Sequence, residues 1–191
     1  MKFCFVKQHD SMKCGIACLQ MICVYHGKIF GQEFISSVCI TTTEGVSLLG
    51  IRDAAVTIGF NATCRRLNTE DLTTTVLPCI LHWNQNHFVV LYKIKNGKKF
   101  YIADPAKGLI TYTLDEFKVH WISTHSDGED KGVAMFLEPT PAFYANKDFV
   151  EGNKEKRSFR FLFGYIRKYR KYFGQIILGL LAGSILQLVL P

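Results

Sequence analysis

The sequence predicts an α+β fold, with N-terminal helices packed on an antiparallel sheet and a membrane-seeking C-terminal helix behind them. Three observations carry this. Apolar runs of helical length and period precede Gly59, strand-like runs joined by a hairpin turn follow Leu77-Pro78, and the stretch Tyr172–Pro191 is without charge. With 191 residues, 48% apolar and 20% charged, the chain is large enough for one generous domain plus an appendage and too apolar for disorder.

Cys14–His26 is apolar except for Gln20 and His26 and ends at Gly27, which predicts a buried helix closed by a glycine. Gln32–Ile40 is a second, short helix, and Ser47–Ile58, ended by Gly59, a third. Cys79–His82, His87–Ile94 and Lys99–Ala103 are strands, with Asn96-Gly97 as the turn between the last two. Thr113-Leu114-Asp115-Glu116 is a capping box that opens a short helix toward Trp121. Val133–Leu137 is the last strand, and Pro139 and Pro141 open a polar linker. The expected organisation is therefore a domain over 1–138, a linker over 139–157, an amphipathic interfacial helix over 158–171 and a membrane helix over 172–191.

The tail rests on its own arithmetic. Twenty residues at about 1.5 Å each span roughly the 30 Å of a bilayer's hydrocarbon. Before them, Phe159, Leu162, Phe163 and Ile166 interleave with Arg160, Arg167, Lys168 and Arg170, as in a helix lying at a lipid interface. A buried C-terminal helix of a soluble protein is the bland alternative. The basic flank predicts that residues before 172 stay in the cytoplasm. A single span that stops at Pro191 reads as the start of a longer membrane protein.

Net charge is +7, but from residue 151 onward eight Lys and Arg face two Glu, leaving fifteen basic against fourteen acidic residues before that point. General nucleic-acid binding is excluded on this distribution. Seven cysteines and an N-terminus without an apolar signal core point to a reducing compartment, where thiols are packed or reactive rather than bridged.

Cys14 opens its helix, where unpaired N–H groups and the helix dipole favour a thiolate. Cys18 and Cys23 lie further along and, with Cys4, Cys39, Cys64 and Cys79, read as small apolar residues. The Cys14-x3-Cys18-x4-Cys23 spacing fits no zinc or cluster pattern, so no metal is expected. Of His9, His26, His82, His87, His120 and His125, the hairpin singles out one. A two-residue turn at Asn96-Gly97 sets Lys95 against Lys98, hence Val89 against Asp104 and Leu91 against Ile102. His87 and Asp104 then share a face as diagonal neighbours about 7 Å apart, within reach of an imidazole–carboxylate bond. His82 and His120 gain no partner from this register. Gln8, just upstream of Cys14, has an amide suited to donate to an oxyanion beside the Cys14 N–H.

The order Gln, Cys, His, Asp is that of papain-like cysteine peptidases. Gln8-His9-Asp10-Ser11-Met12-Lys13-Cys14-Gly15-Ile16-Ala17-Cys18-Leu19 resembles the cysteine motif of the bacteriocin-processing peptidase domain of peptidase-containing ABC transporters. His82-Trp83-Asn84-Gln85-Asn86-His87-Phe88-Val89-Val90-Leu91 resembles its histidine motif, and Ala103-Asp104-Pro105-Ala106-Lys107-Gly108 its aspartate motif. The resemblance implies a papain-like fold at the cytoplasmic side of the bacterial plasma membrane. It implies cleavage of precursor peptides after a Gly-Gly leader, with Cys14 as nucleophile, His87 as base, Asp104 as its orienter and Gln8 as oxyanion donor. It also implies a homodimeric exporter. No G-x-x-x-x-G-K-[ST] motif occurs, so ATP binding is not assigned to these residues, and the resemblance implies ATP and Mg only in a nucleotide-binding domain outside them. The competing reading is a non-catalytic leader-docking module, which the presence of Cys14 disfavours; a papain-like transferase or amidase fits the tail poorly.

Overall fold

A computed structural model describes residues 3–8, 10–39, 41–42, 45–126 and 128–146, together with 174, 175, 179–181, 183, 184 and 187. The chain divides into two compact units, Met1–Glu151 and Gly152–Pro191. The first begins with a 3₁₀ turn, Ser11–Lys13, that runs straight into α1 (Cys14–Tyr25). Then come α2 (Gln32–Val38), a two-residue ladder of β1 (Thr41–Thr42) and β2 (Gly45–Val46), α3 (Leu48–Ile58), β3 (Phe60–Leu67) and α4 (Thr69–Thr73). The second half contains β4 (Cys79–Trp83), β5 (His87–Lys95), β6 (Lys99–Asp104), β7 (Gly108–Thr113), α5 (Leu114–Trp121), β8 (Ile122–Ser126), β9 (Glu129–Pro139) and α6 (Pro141–Ala145).

The main sheet is antiparallel throughout, in the order β3-β9-β4-β5-β6-β7, with β8 paired to β9. Its central strands are buried on both faces, and alternation sorts them. Ile80, Phe88, Val90, Ala103, Met135 and Leu137 join Ile16, Leu19, Ile22 and Ile51 of α1 and α3 in one core. Cys79, Leu81, Val89, Leu91, Phe100 and Ile102 join Phe117 and Trp121 of α5 in the other. The α+β expectation holds.

The signals for individual helices hold as well. Ser47 caps α3 by accepting from the Gly50 N–H, and Gly59 ends it at φ +112°. Thr113 and Glu116 form the reciprocal capping box of α5.

Two expectations are corrected. The β5–β6 hairpin has a three-residue turn, not a two-residue one: Lys95 pairs with Lys99. An irregularity between Leu91 and Lys93 takes up Tyr92 and brings Leu91 back opposite Ile102 and Val90 opposite Ala103. One extra residue in the turn is cancelled by one in the strand, so the register near Asp104 is the expected one. The second correction concerns the linker expected over 139–157. Pro139 still belongs to β9, and α6 follows at once, with Phe143 fully buried against Phe60 and Phe30. A Cβ on Gly59 would overlap the Phe143 backbone, Thr140 Oγ1 donates to the Gly59 carbonyl at 2.5 Å, and Asn146 Nδ2 donates to the Ile58 carbonyl at 3.2 Å. The domain thus runs past 138.

In the second unit the described residues, such as Gly174, Gly183 and Gln187, are helical. The interfacial helix expected over 158–171 and most of the span expected over 172–191 lie outside the described residues. Among the described residues no helix is long and apolar enough to cross a membrane.

Candidate active site

Asp10 Oδ1 accepts the Met12 N–H at 2.9 Å and caps the 3₁₀ turn, so the chain enters α1 with Cys14 as its first residue. Gly15 then decides how closely this helix start can approach the sheet. A Cβ there would lie 2.5 Å from Ile51 Cδ1 and 3.5 Å from Phe88 Cδ2, so a bare backbone lets α1 press against α3 and β5. Cys14, 5% exposed, is thereby seated beside His87.

His87 begins β5 and Asp104 ends β6, both beyond the last paired position between those strands, Val90 with Ala103. His87 Nε2 meets Asp104 Oδ1 at 2.8 Å. The same oxygen accepts the Ala106 N–H at 2.9 Å, a tight local turn that fixes the carboxylate. With Nε2 engaged, Nδ1 is the ring nitrogen left for the hydrogen bond to Cys14. Burial works against a charge on either partner. At Asp104, 2% exposed, the His87 ring, the Ala106 N–H and the charges of His87 and Lys107 outweigh it and hold the carboxyl below its ordinary range. At His87 burial is outweighed by the bonds to Asp104 and Cys14 and by their charges, and the imidazole is raised to about 9. The arrangement can thus hold a proton on the ring between a sulfur and a carboxylate, as nucleophilic acyl chemistry requires.

Gln8 reaches the same place from the N-terminal segment. Its N–H donates to the Pro105 carbonyl at 3.1 Å, next to Asp104, and its Oε1 is buried without a hydrogen-bond partner among the described residues. Gln32, at the start of α2, donates from Nε2 to the Lys7 carbonyl at 3.3 Å and braces this segment. Neither Gln32 nor the spacer role of Gly15 was legible in the motif, since both act through partners distant in sequence. All seven cysteines are free. Burial pushes the thiol up at Cys18 (helped by the Cys14 and Asp104 charges), Cys23 (to about 12), Cys39 (to about 11) and Cys79. Of the other histidines, His26 and His82 are lowered by burial, and His125 pairs with exposed Asp130. Among the described residues no group of three or more His, Cys, Asp and Glu is placed to hold a metal ion.

Comparison with known proteins gives the family of the domain that carries this site. The family model described as the peptidase C39 family matches residues 2–125. The chain belongs to the peptidase C39 family. It is a cysteine peptidase domain, with homologues among peptide-processing ABC transporters. This C39 domain is 34% identical to a crystallised double glycine motif protease from an AMS/PCAT transporter, solved with its leader peptide. That match has a TM-score of 0.63 and covers 73% of this chain and 93% of that one. It is 30% identical over 138 residues to the colicin V secretion/processing ATP-binding protein of Escherichia coli, covering 72% of this chain and 18% of the relative. It is 30% identical over 178 residues to the lactococcin-G-processing and transport ATP-binding protein of Lactococcus lactis, covering 86% of this chain and 24% of the relative. The C39 chain therefore spans about a fifth to a quarter of the length of the curated relatives it matches.

Proposed function

We propose that this C39 domain removes double-glycine leaders from bacteriocin-like or signalling precursor peptides at the cytoplasmic face of an exporting membrane protein, with Cys14, His87, Asp104 and Gln8 as its site. One observation carries the reading: His87 is bonded to Asp104 at 2.8 Å and to Cys14 in a buried corner of a fold shared with a double glycine motif protease. In the sequence of steps we infer, the proton of the Cys14–His87 pair already sits on the imidazole, and the Cys14 sulfur attacks the carbonyl carbon of the second glycine. The oxyanion is met by the Gln8 amide and the Cys14 N–H. His87 then gives its proton to the leaving amine, and a thioester remains on Cys14. Water, deprotonated by His87, hydrolyses that thioester and frees the enzyme.

The leader would dock as an amphipathic helix. The cleft between α3 and β3 suits this, because Leu49 and Val56 stand exposed there beside Arg52 and Ala62. A narrow passage at the cleavage site would admit only residues without a Cβ. Membrane lipid as a partner, a homodimeric exporter and nucleotide chemistry outside this chain are further parts of the proposal, supported by the basic tail and by the relatives' names. The test is cleavage of a synthetic precursor carrying a Gly-Gly site. Cys14→Ala is expected to abolish it with the fold intact, while Cys18→Ala retains it. A second Gly replaced by Val in the precursor is expected to stop turnover. Cutting by Cys14→Ala, or robust cutting of the Val precursor, would overturn the reading.

A further inference from the structure

The segment that carries His87 is itself under strain. Trp83 pairs with His87, and the turn between them has Asn84 at φ 49° and Gln85 at φ 61°, with the Asn86 N–H donating to the Trp83 carbonyl at 3.3 Å. Two successive left-handed residues make a type I′ turn, which prefers glycine at its second central position. Gln85 stands there instead, and a non-glycine side chain in that region is unfavourable unless its surroundings enforce it.

The enforcement comes from the end of α5. Asn84 donates its N–H to the His120 carbonyl at 2.9 Å, and Asn84 Oδ1 meets His120 Nδ1 at 2.8 Å. An amide oxygen only accepts, so Nδ1 carries the proton and donates. The His120 ring is in turn fixed by stacking on Trp83 at 5.2 Å and by the edge of Tyr112 at 5.5 Å. Two residues of the hairpin, Trp83 and Asn84, are thereby tied to one residue outside it, and Trp83 is in turn the strand partner of His87.

We infer that His120 is a positioning residue for the catalytic pair: it clamps the strained Asn84-Gln85 turn and so holds His87 in line between Cys14 and Asp104. The inference rests on the reading of Cys14 and His87 as the reactive pair. It makes His120 important for rate rather than for substrate docking, because its contacts, with the hairpin and with Tyr112, lie outside the α3–β3 cleft.

The experiment compares wild type, His120→Leu, His120→Gln, His87→Ala and the double variant His120→Leu/Gln85→Gly. Cleavage of a Gly-Gly precursor and the rate of Cys14 alkylation by iodoacetamide are both scored per folded molecule. His120→Leu is expected to lower kcat and the alkylation rate about tenfold with KM within about twofold. His120→Gln, whose amide can still donate, should recover part of both. Glycine at position 85 removes the strain that the clamp opposes, so the double variant should recover much of what the single one lost. Wild-type kcat and alkylation in His120→Leu, with His87→Ala inactive, would overturn the inference alone, as would loss in KM only or a double variant no better than the single one. Wild-type rates in His87→Ala would overturn the site reading beneath it.

Discussion

At the scale of single residues, proton placement on His87 decides when the site works. Its imidazole is raised from 6.5 to about 9 by Asp104 and Cys14 against the opposing effect of burial. The imidazolium that protonates the leaving amine is therefore the resting form at neutral pH, and kcat/KM is expected to fall as pH rises through about 9. Asp104→Asn removes a bond and a charge that raise His87, so the alkaline limb should move to lower pH while the rate drops. His87→Ala should lose about 10²–10⁴-fold, the usual worth of positioned proton transfer. The pH–rate profile checks both; an alkaline limb unmoved by Asp104→Asn would contradict the assignment of causes. Stability follows the same signs. The His87 contribution is present in full below about 6.5 and lost as pH rises through about 9. The Asp104 contribution is present above the ordinary carboxyl value of 3.8 and lost as pH falls through its lower folded value.

At the scale of elements, what was legible in the sequence is what local chemistry determines. Helix starts at Ser47 and Thr113, the stop at Gly59, and the pairing of Leu91 with Ile102 were readable because caps, αL glycines and strand alternation act over a few residues. The hairpin shows the limit: turn length and the Tyr92 irregularity compensate one another, and only the net register was right. β3 went unread because it is an edge strand whose residues from Asn61 onward are largely exposed, so no alternation marks it. His120 was passed over because its partner, Asn84, is 36 residues away. α6 reads as linker in the sequence because Pro139 ends the strand before it and Pro141 opens it, and only the tertiary fold shows Phe143 filling the core. Gly59 carries both kinds of information, a positive φ and a backbone against Phe143. Gly59→Ala is expected to cost at least about 1–3 kcal/mol from the left-handed conformation alone. A chemical-denaturation midpoint unchanged from wild type would contradict both the left-handed conformation of Gly59 and its close contact with α6.

At the scale of the whole molecule, the docking of α6 sets where the peptidase can be cut free. Ending the chain at Asn146 keeps Phe143, Thr140 and the bonds to Gly59 and Ile58, and such a fragment is expected to fold and to cleave. Ending it at Glu138 removes Phe143, and truncating a buried Phe costs about 3–5 kcal/mol against a typical total of about 5–15. That fragment should unfold at markedly lower denaturant, which a pair of urea titrations would read. The basic tail that follows is expected to hold to anionic lipid at about 1 kcal/mol per Lys or Arg, in a salt-sensitive way.

The central claim is that Cys14, activated by His87, is the sulfur that attacks a Gly-Gly carbonyl. It is tested most directly by treating the folded protein with an equimolar leader-derived peptide ending in Gly-Gly-chloromethyl ketone and mapping the modified residue by mass spectrometry. The account predicts a single thioether on Cys14, formed slowly or not at all in His87→Ala and absent with a Gly-Val ketone. Labelling of Cys18 or Cys64 instead, or equal labelling of Cys14 in His87→Ala, would contradict it.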